Sequence, residues 1–266
     1  MANTSSISDL LSGDKAALDR ALSETDNAKV LRQCAIAVTA CALYGATLGV
    51  WQGGMMPVYT AIKIPLVILL TLLANGFLNG ILSLLLGSGL GIRRTLIAQL
   101  TAFMVAAIIL ASLSPLTFFL ARNLADPSEP GGQHAHAIFL LTHTLLIGFA
   151  GLTANAKLFD LLHHSAPTLN IARATYLAWL GGNLLAGVQI TYILRPYFGT
   201  PSLPIQFIRD KPLEGNFLQT VWFSFSRLLP DWDFTTRLCL FGILLTLGIA
   251  LTLPKAVLRN PKPNQP

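Results

Sequence analysis

Across six long apolar stretches of the 266-residue chain there is not one Lys, Arg, Asp or Glu. The stretches run Cys34–Val50, Ile64–Leu86, Leu96–Leu120, Ala137–Ala156, Ala174–Leu194 and Leu238–Leu253. Each has about the length a helix needs to cross a ~30 Å hydrocarbon layer. Ionisable groups inside a bilayer are costly and mark ion paths, proton relays or catalytic centres. Their absence leaves His143 as the one titratable side chain well inside a span, thiols aside. Cysteine is scarce too. Cys34, Cys41 and Cys239 show no CxxC or metal-ligand spacing, and an odd number supplies no disulfide framework. Residues 1–30 are polar and mixed in charge, so a cleavable signal peptide is not expected and the first span serves as the targeting signal.

What is present agrees. Hydrophobic residues make up 53% and charged residues 11%, well below the roughly one quarter charged in soluble domains. The expected fold is all-α: an integral membrane bundle of about six transmembrane helices, with an N-terminal amphipathic helix and an outer interfacial helix. Residues 1–30 form the tail, 31–257 the membrane domain with an outer cap segment at 195–237, and 258–266 a C-terminal tail. The net charge of +6 comes from basic residues scattered at span ends, without the aromatic-laced basic stripe of nucleic-acid readers. The expected partners are therefore the lipid bilayer and a membrane protein or second copy, and no nucleic acid.

Basic residues orient the chain. With the N-terminus inside, eleven fall on the inner side: Lys15, Arg20, Lys29, Arg32, Arg93, Arg94, Lys157, Arg173, Lys255, Arg259 and Lys262. The two short outer loops hold Lys63 and Arg122. The long segment Arg195–Arg237 carries five, but charge in long loops counts for less. Both termini are expected in the cytoplasm. In the tail, Leu10, Ala17, Leu18 and Leu22 recur at helical intervals opposite Asp14, Lys15, Asp19, Arg20 and Glu24.

Lipid gives helices no hydrophobic push toward one another, so small and polar residues hold them. Gly45-Ala-Thr-Leu-Gly49 and Gly76-Phe-Leu-Asn-Gly80 are GxxxG motifs on consecutive spans, and the two grooves are expected to face each other. Asn75 and Asn79 share one face of the second span. Asn183 and Gln189 belong to a small-and-polar patch on the fifth. These four form a candidate intramembrane cluster, either bonding helices together or lining a cavity for a neutral solute. Pro115, within Ser112-Leu-Ser-Pro-Leu-Thr, is expected to kink the third span.

Catalytic candidates fail on geometry. His134, His136 and His143 precede or enter the fourth span while His163 and His164 follow it, so the two groups lie on opposite faces. His136 and His143 are seven apart and share a helix face, but no helix-fixed carboxylate joins them to make a metal site. Gly87-Ser-Gly-Leu-Gly91 before Arg93-Arg94 looks like a phosphate cradle, yet it lacks the preceding strand such a loop needs. No Ser/His/Asp or Cys/His set shares a face. No enzyme activity and no cofactor are expected.

The outer segment is the least generic part. Its candidate partner-binding cap comprises Arg195, Pro196, Gly199, Pro201, Glu214, Gly215 and Asn216, followed by an amphipathic stretch from Leu218 to Leu229. Prolines hold the backbone extended, and Gly199 permits a tight turn. An Arg195–Glu214 pair is expected to pin the cap. The run Arg195-Pro-Tyr-Phe-Gly-Thr-Pro201, with Glu214-Gly-Asn-Phe217, Ala61-Ile-Lys-Ile-Pro65 and Leu113-Ser-Pro-Leu-Thr-Phe118, resembles an uncharacterised group of bacterial six-helix membrane proteins. That group carries an Arg-Pro-aromatic-x-Gly-Ser/Thr-Pro motif and is loosely placed with the Yip-type trafficking family, whose Asp-Pro-Tyr-type signature this chain lacks. The resemblance covers most of the membrane domain and implies a bacterial inner membrane; it implies no activity. Two functions are weighed: an assembly partner or scaffold of a membrane complex, and a transporter or channel subunit for a neutral small solute.

Overall fold

The computed structural model describes residues 26–199 and 203–252. The amphipathic tail before Asp26, Pro201 and the C-terminal tail lie outside the described residues. The described chain is all-α without strand, in the order α1 (Asn27–Gly49), α2 (Met56–Leu85), α3 (Ile92–Ser112), α4 (Ser114–Asn123), α5 (Gly132–Ser165), α6 (Leu169–Ile193), α7 (Phe217–Leu228) and α8 (Phe234–Thr252). Four of these, α1, α2, α3 and α5 over Gly132–Asp160, are long and apolar enough to cross a membrane. Leu73 and Leu85 of α2 point outward, as lipid contact requires of a spanning helix.

Helix starts follow capping chemistry. The Asp26 carboxylate accepts from the Ala28 amide at 2.9 Å, the Thr168 hydroxyl from Ile171 at 3.3 Å, and the Asn216 side chain from Gln219 at 2.8 Å. Pro57 and Pro115 sit in the first turns of α2 and α4, where a missing N–H costs little. Pro115 does more than kink the third apolar run. A separate short helix begins at Ser114 with Pro115 in its first turn, Leu113 caps both helices, and Ser112 Oγ donates to the Ile109 carbonyl at 2.7 Å beside the break.

The helix α3 is the centre, packed against α1, α2 and α5, while α6 lies between α2 and α5. Ala98, Ala102 and Val105 of α3 meet Leu158, Phe159 and Leu162 of α5 and Tyr176 and Trp179 of α6 in one apolar cluster. The two GxxxG grooves do not face each other. A Cβ on Gly45 would strike the Thr60 carbonyl, and one on Gly49 the main chain at Met56 and Pro57, so the α1 groove receives the start of α2. A Cβ on Gly76 would strike Leu96, and one on Gly80 would come within 2.9 Å of Ile92, so the α2 groove receives α3. The correction is geometric: the two motifs sit at opposite ends of an antiparallel pair.

Candidate functional site

Where the α1–α2 turn and the end of α6 meet, the chain from Arg195 folds back over the bundle as a cap. The Arg195 guanidinium is its hub. Nη1 donates to the carbonyls of Tyr192 at 2.8 Å and Pro212 at 2.9 Å, and Nη2 to those of Lys211 and Glu214, each at 3.1 Å. It also stacks on the Tyr192 ring at 3.7 Å. Arginine suits this role because its planar fork presents several donors in fixed directions. Glu214 therefore pins the cap through its main chain. Its carboxylate pairs with Lys211 Nζ at 2.9 Å instead, correcting the expected Arg195–Glu214 ion pair.

Gly199 and Gly215 hold positive φ angles of 74° and 89°, and neither could carry a side chain. A Cβ would collide with Gln52 at the first and with the Tyr192 hydroxyl at the second. That hydroxyl donates to the Glu214 carbonyl at 2.6 Å. Asn216 closes the cap by starting α7, whose Arg227 reaches Gln133 of α5 at 2.8 Å.

Beneath the cap lies Lys63, which the charge reading assigned to an outer loop. It is the eighth residue of α2 and has no exposed surface. Nζ donates to the Pro196 carbonyl at 2.6 Å, and the Arg195–Pro196 peptide preceding it is cis. Three rings surround the ammonium, with centroids 5.0 Å (Phe207), 6.0 Å (Tyr59) and 6.0 Å (Tyr197) away. Aromatic faces stabilise a desolvated cation by about 2 kcal/mol in favourable cases. Arg209 lies near enough to repel it. Tyr197 donates to the Thr191 carbonyl at 2.9 Å, and burial pushes its phenol well above the ordinary range, so that donor persists at any physiological pH.

Phe198 is the cap's plug. Its ring lies 5.3 Å from both His136 and Phe139 and 6.5 Å from His143. Trp51 stacks on Phe139 and donates to the Ala125 carbonyl. His143 spends both nitrogens on protein: Nδ1 on the Phe139 carbonyl at 2.7 Å and Nε2 on Thr117 Oγ1 at 3.3 Å. Among the described residues no three His, Cys, Asp or Glu side chains converge as metal ligands would.

The amide cluster lies deeper. Asn75 Nδ2 donates to the Gly182 carbonyl at 2.7 Å, Asn79 Nδ2 to Asn183 Oδ1 at 3.3 Å, and Trp179 Nε1 to the Asn79 carbonyl at 3.0 Å. Gln189 stays apart and exposed. At 100° per residue it falls roughly a quarter-turn from the line through Trp179 that meets α2. Residues that the candidate lists missed are Lys63, Gln52, Tyr192 and Gln99. Lys63 alone carried a signal: Pro57 opens a helix six residues before it, and Tyr59 stands four before it on the same face.

No protein-family model matches the chain, and searches of curated proteins and of solved structures give no match either.

Proposed function

We propose that the chain is a non-catalytic scaffold of a membrane complex, which presents its cap segment to a membrane-protein partner. The observation behind this reading is the Arg195 hub. Four main-chain carbonyls converge on one guanidinium, fixing a segment without regular secondary structure as a defined surface on top of the bundle. Leu213 and Leu218 stand exposed beside it. In this reading α6 and α8 also span, giving six crossings of a bacterial inner membrane with both termini in the cytoplasm and the cap outside. With Lys63 placed inside α2, eleven basic residues on the inner side stand against Arg122 alone in the short outer loops, and that bias supports the orientation. The solute-transport reading ranks second because Asn75 and Asn79 spend their donors on α6, which ties helices together.

Photocrosslinkers at Leu213 and Leu218 in native membranes test it. A discrete crosslinked species is expected from both positions, and Arg195→Ala should abolish it while the amount of inserted protein stays unchanged. No crosslink beyond that of a lipid-facing control at Leu73 rejects the scaffold reading. Loss of the inserted protein itself makes the hub purely structural.

A further inference from the structure

In the half of the bundle away from the cap, buried polar side chains outnumber their partners. On α2, Thr71, Asn75, Asn79 and Ser83 recur every fourth residue, all buried, along about 18 Å of helix. On α3, Thr95 and Gln99 are buried and also four apart. Their direction follows from helical phase. Ile92 and Leu96 meet α2 at Gly80 and Gly76, whereas Ala98, Ala102 and Val105 sit in the apolar cluster with Tyr176 and Trp179 of α6. At 100° per residue Thr95 and Gln99 fall between those two faces, toward the seam of α2 and α6. The antiparallel register then puts Gln99 near the level of Asn75.

Among the described residues, Thr71 Oγ1, Asn79 Oδ1, Ser83 Oγ, Thr95 Oγ1, Thr175 Oγ1 and both ends of the Gln99 amide have no hydrogen-bond partner. Gln99 is 1% exposed. Buried polar groups in proteins are almost always paired, and in a bilayer each orphan costs several kcal/mol. At Gly182 the seam has room for about a methyl group: a Cβ there would lie 3.4 Å from Asn79 Oδ1 and 3.8 Å from Asn75 Oδ1, so two amide oxygens flank a bare α-carbon.

The orphans set the chemistry of what fits. Hydroxyls and the Gln99 amide offer both donors and acceptors, and no charged side chain is among them, which disfavours an ion and favours a small neutral molecule of mixed hydrogen-bonding character. We propose that the α2–α3–α6 seam takes up water as a half-channel, entering from the end opposite the cap, where Ser83 and Thr175 lie without exposed surface in the closed seam seen here. It is closed toward the cap: one step beyond Thr71 on the four-residue line comes Val67, and the next is Lys63, already committed to Pro196. The inference is independent of the scaffold reading.

Cysteine accessibility tests it, with Cys34→Ala, Cys41→Ala and Cys239→Ala removing the native thiols. Ser83→Cys, Thr95→Cys and Gln99→Cys should react with a small water-soluble methanethiosulfonate at least about tenfold faster than Ala102→Cys in the apolar cluster or Leu73→Cys facing lipid. The reaction should occur only with reagent on the side of the α2–α3 turn. Rates equal to those controls overturn the proposal, as does equal reaction from both sides. Should these variants fail to accumulate, the wild-type protein decides. A brief X-ray pulse converts bound water to hydroxyl radicals, which should oxidise Trp179, adjoining Asn79, and spare Phe139. An unmodified Trp179 overturns the proposal.

Discussion

A lysine with no exposed surface and no carboxylate partner among the described residues is unusual, and Lys63 is tolerated because its charge is met piecemeal. One carbonyl accepts from it and three aromatic faces surround it. Both interactions vanish in Lys63→Met, which preserves the stem's volume. A hydrogen bond from a charged donor contributes about 1.5–3 kcal/mol, so Lys63→Met should loosen the cap by about that much. Faster amide exchange at 197–199, with unchanged exchange in α3, is the expected readout; equal change in both would mean that Lys63 supports the whole bundle. Removing Arg195 is more severe, because Arg195→Ala strands four carbonyls at once, and proteolysis within 203–216 should accelerate accordingly. The sequence made Arg195 visible through its neighbours: prolines and glycines around a lone arginine announce an irregular segment needing a tie. It hid Lys63, since counting charges at span ends treats any lysine near a boundary as loop. It hid Gln99 as well, because an amide in an apolar helix gives no hint of which face it takes.

At the scale of elements, the pattern of small residues located the close contacts but mispaired them. GxxxG says that a backbone approaches, not which one. Gly49→Leu should separate α1 from α2, since the Met56–Pro57 main chain has no room to retreat, whereas Gly182→Ala should be mild because its neighbours lie 3.4 Å or more away. Thermal unfolding in detergent compares the two, and a larger loss for Gly182→Ala would reverse the assignment of the tight contact. The α2–α6 amides lend themselves to a cycle. Asn79→Leu, Asn183→Leu and the double variant should reveal a coupling of about 0.6–1.7 kcal/mol, the range for interhelical bonds in membranes. Zero coupling would leave the 3.3 Å contact without energetic meaning. Element boundaries were less legible than element existence. Pro115 split one apolar run into α3 and α4, and α5 extends well beyond its apolar stretch because nothing between His134 and His163 breaks a helix.

For the whole molecule, the missing charges located every long helix among the described residues, because a bilayer imposes a length and a composition that no local propensity overrides. Relative placement was not legible, since lipid-facing and buried apolar positions look alike in a chain whose exposed surface is also leucine. The helix α8 makes this concrete. It is as apolar as its neighbours, yet it meets the bundle sparsely, mainly through α5 and α7. Phe241 of α8 packs 5.3 Å from Trp222 and 5.4 Å from Phe225, and Leu238, Ile243, Leu244, Leu245 and Leu247 remain exposed. By contrast α3 is buried on most sides and carries the central cluster. A chain ending after Leu229 should therefore still insert and keep nearly the same melting temperature in detergent. Its α7 should exchange amides faster, because the partner of Trp222 and Phe225 has gone. Collapse of the truncated chain to the stability of a bundle lacking α1 would show that α8 is integral to the fold rather than appended to it.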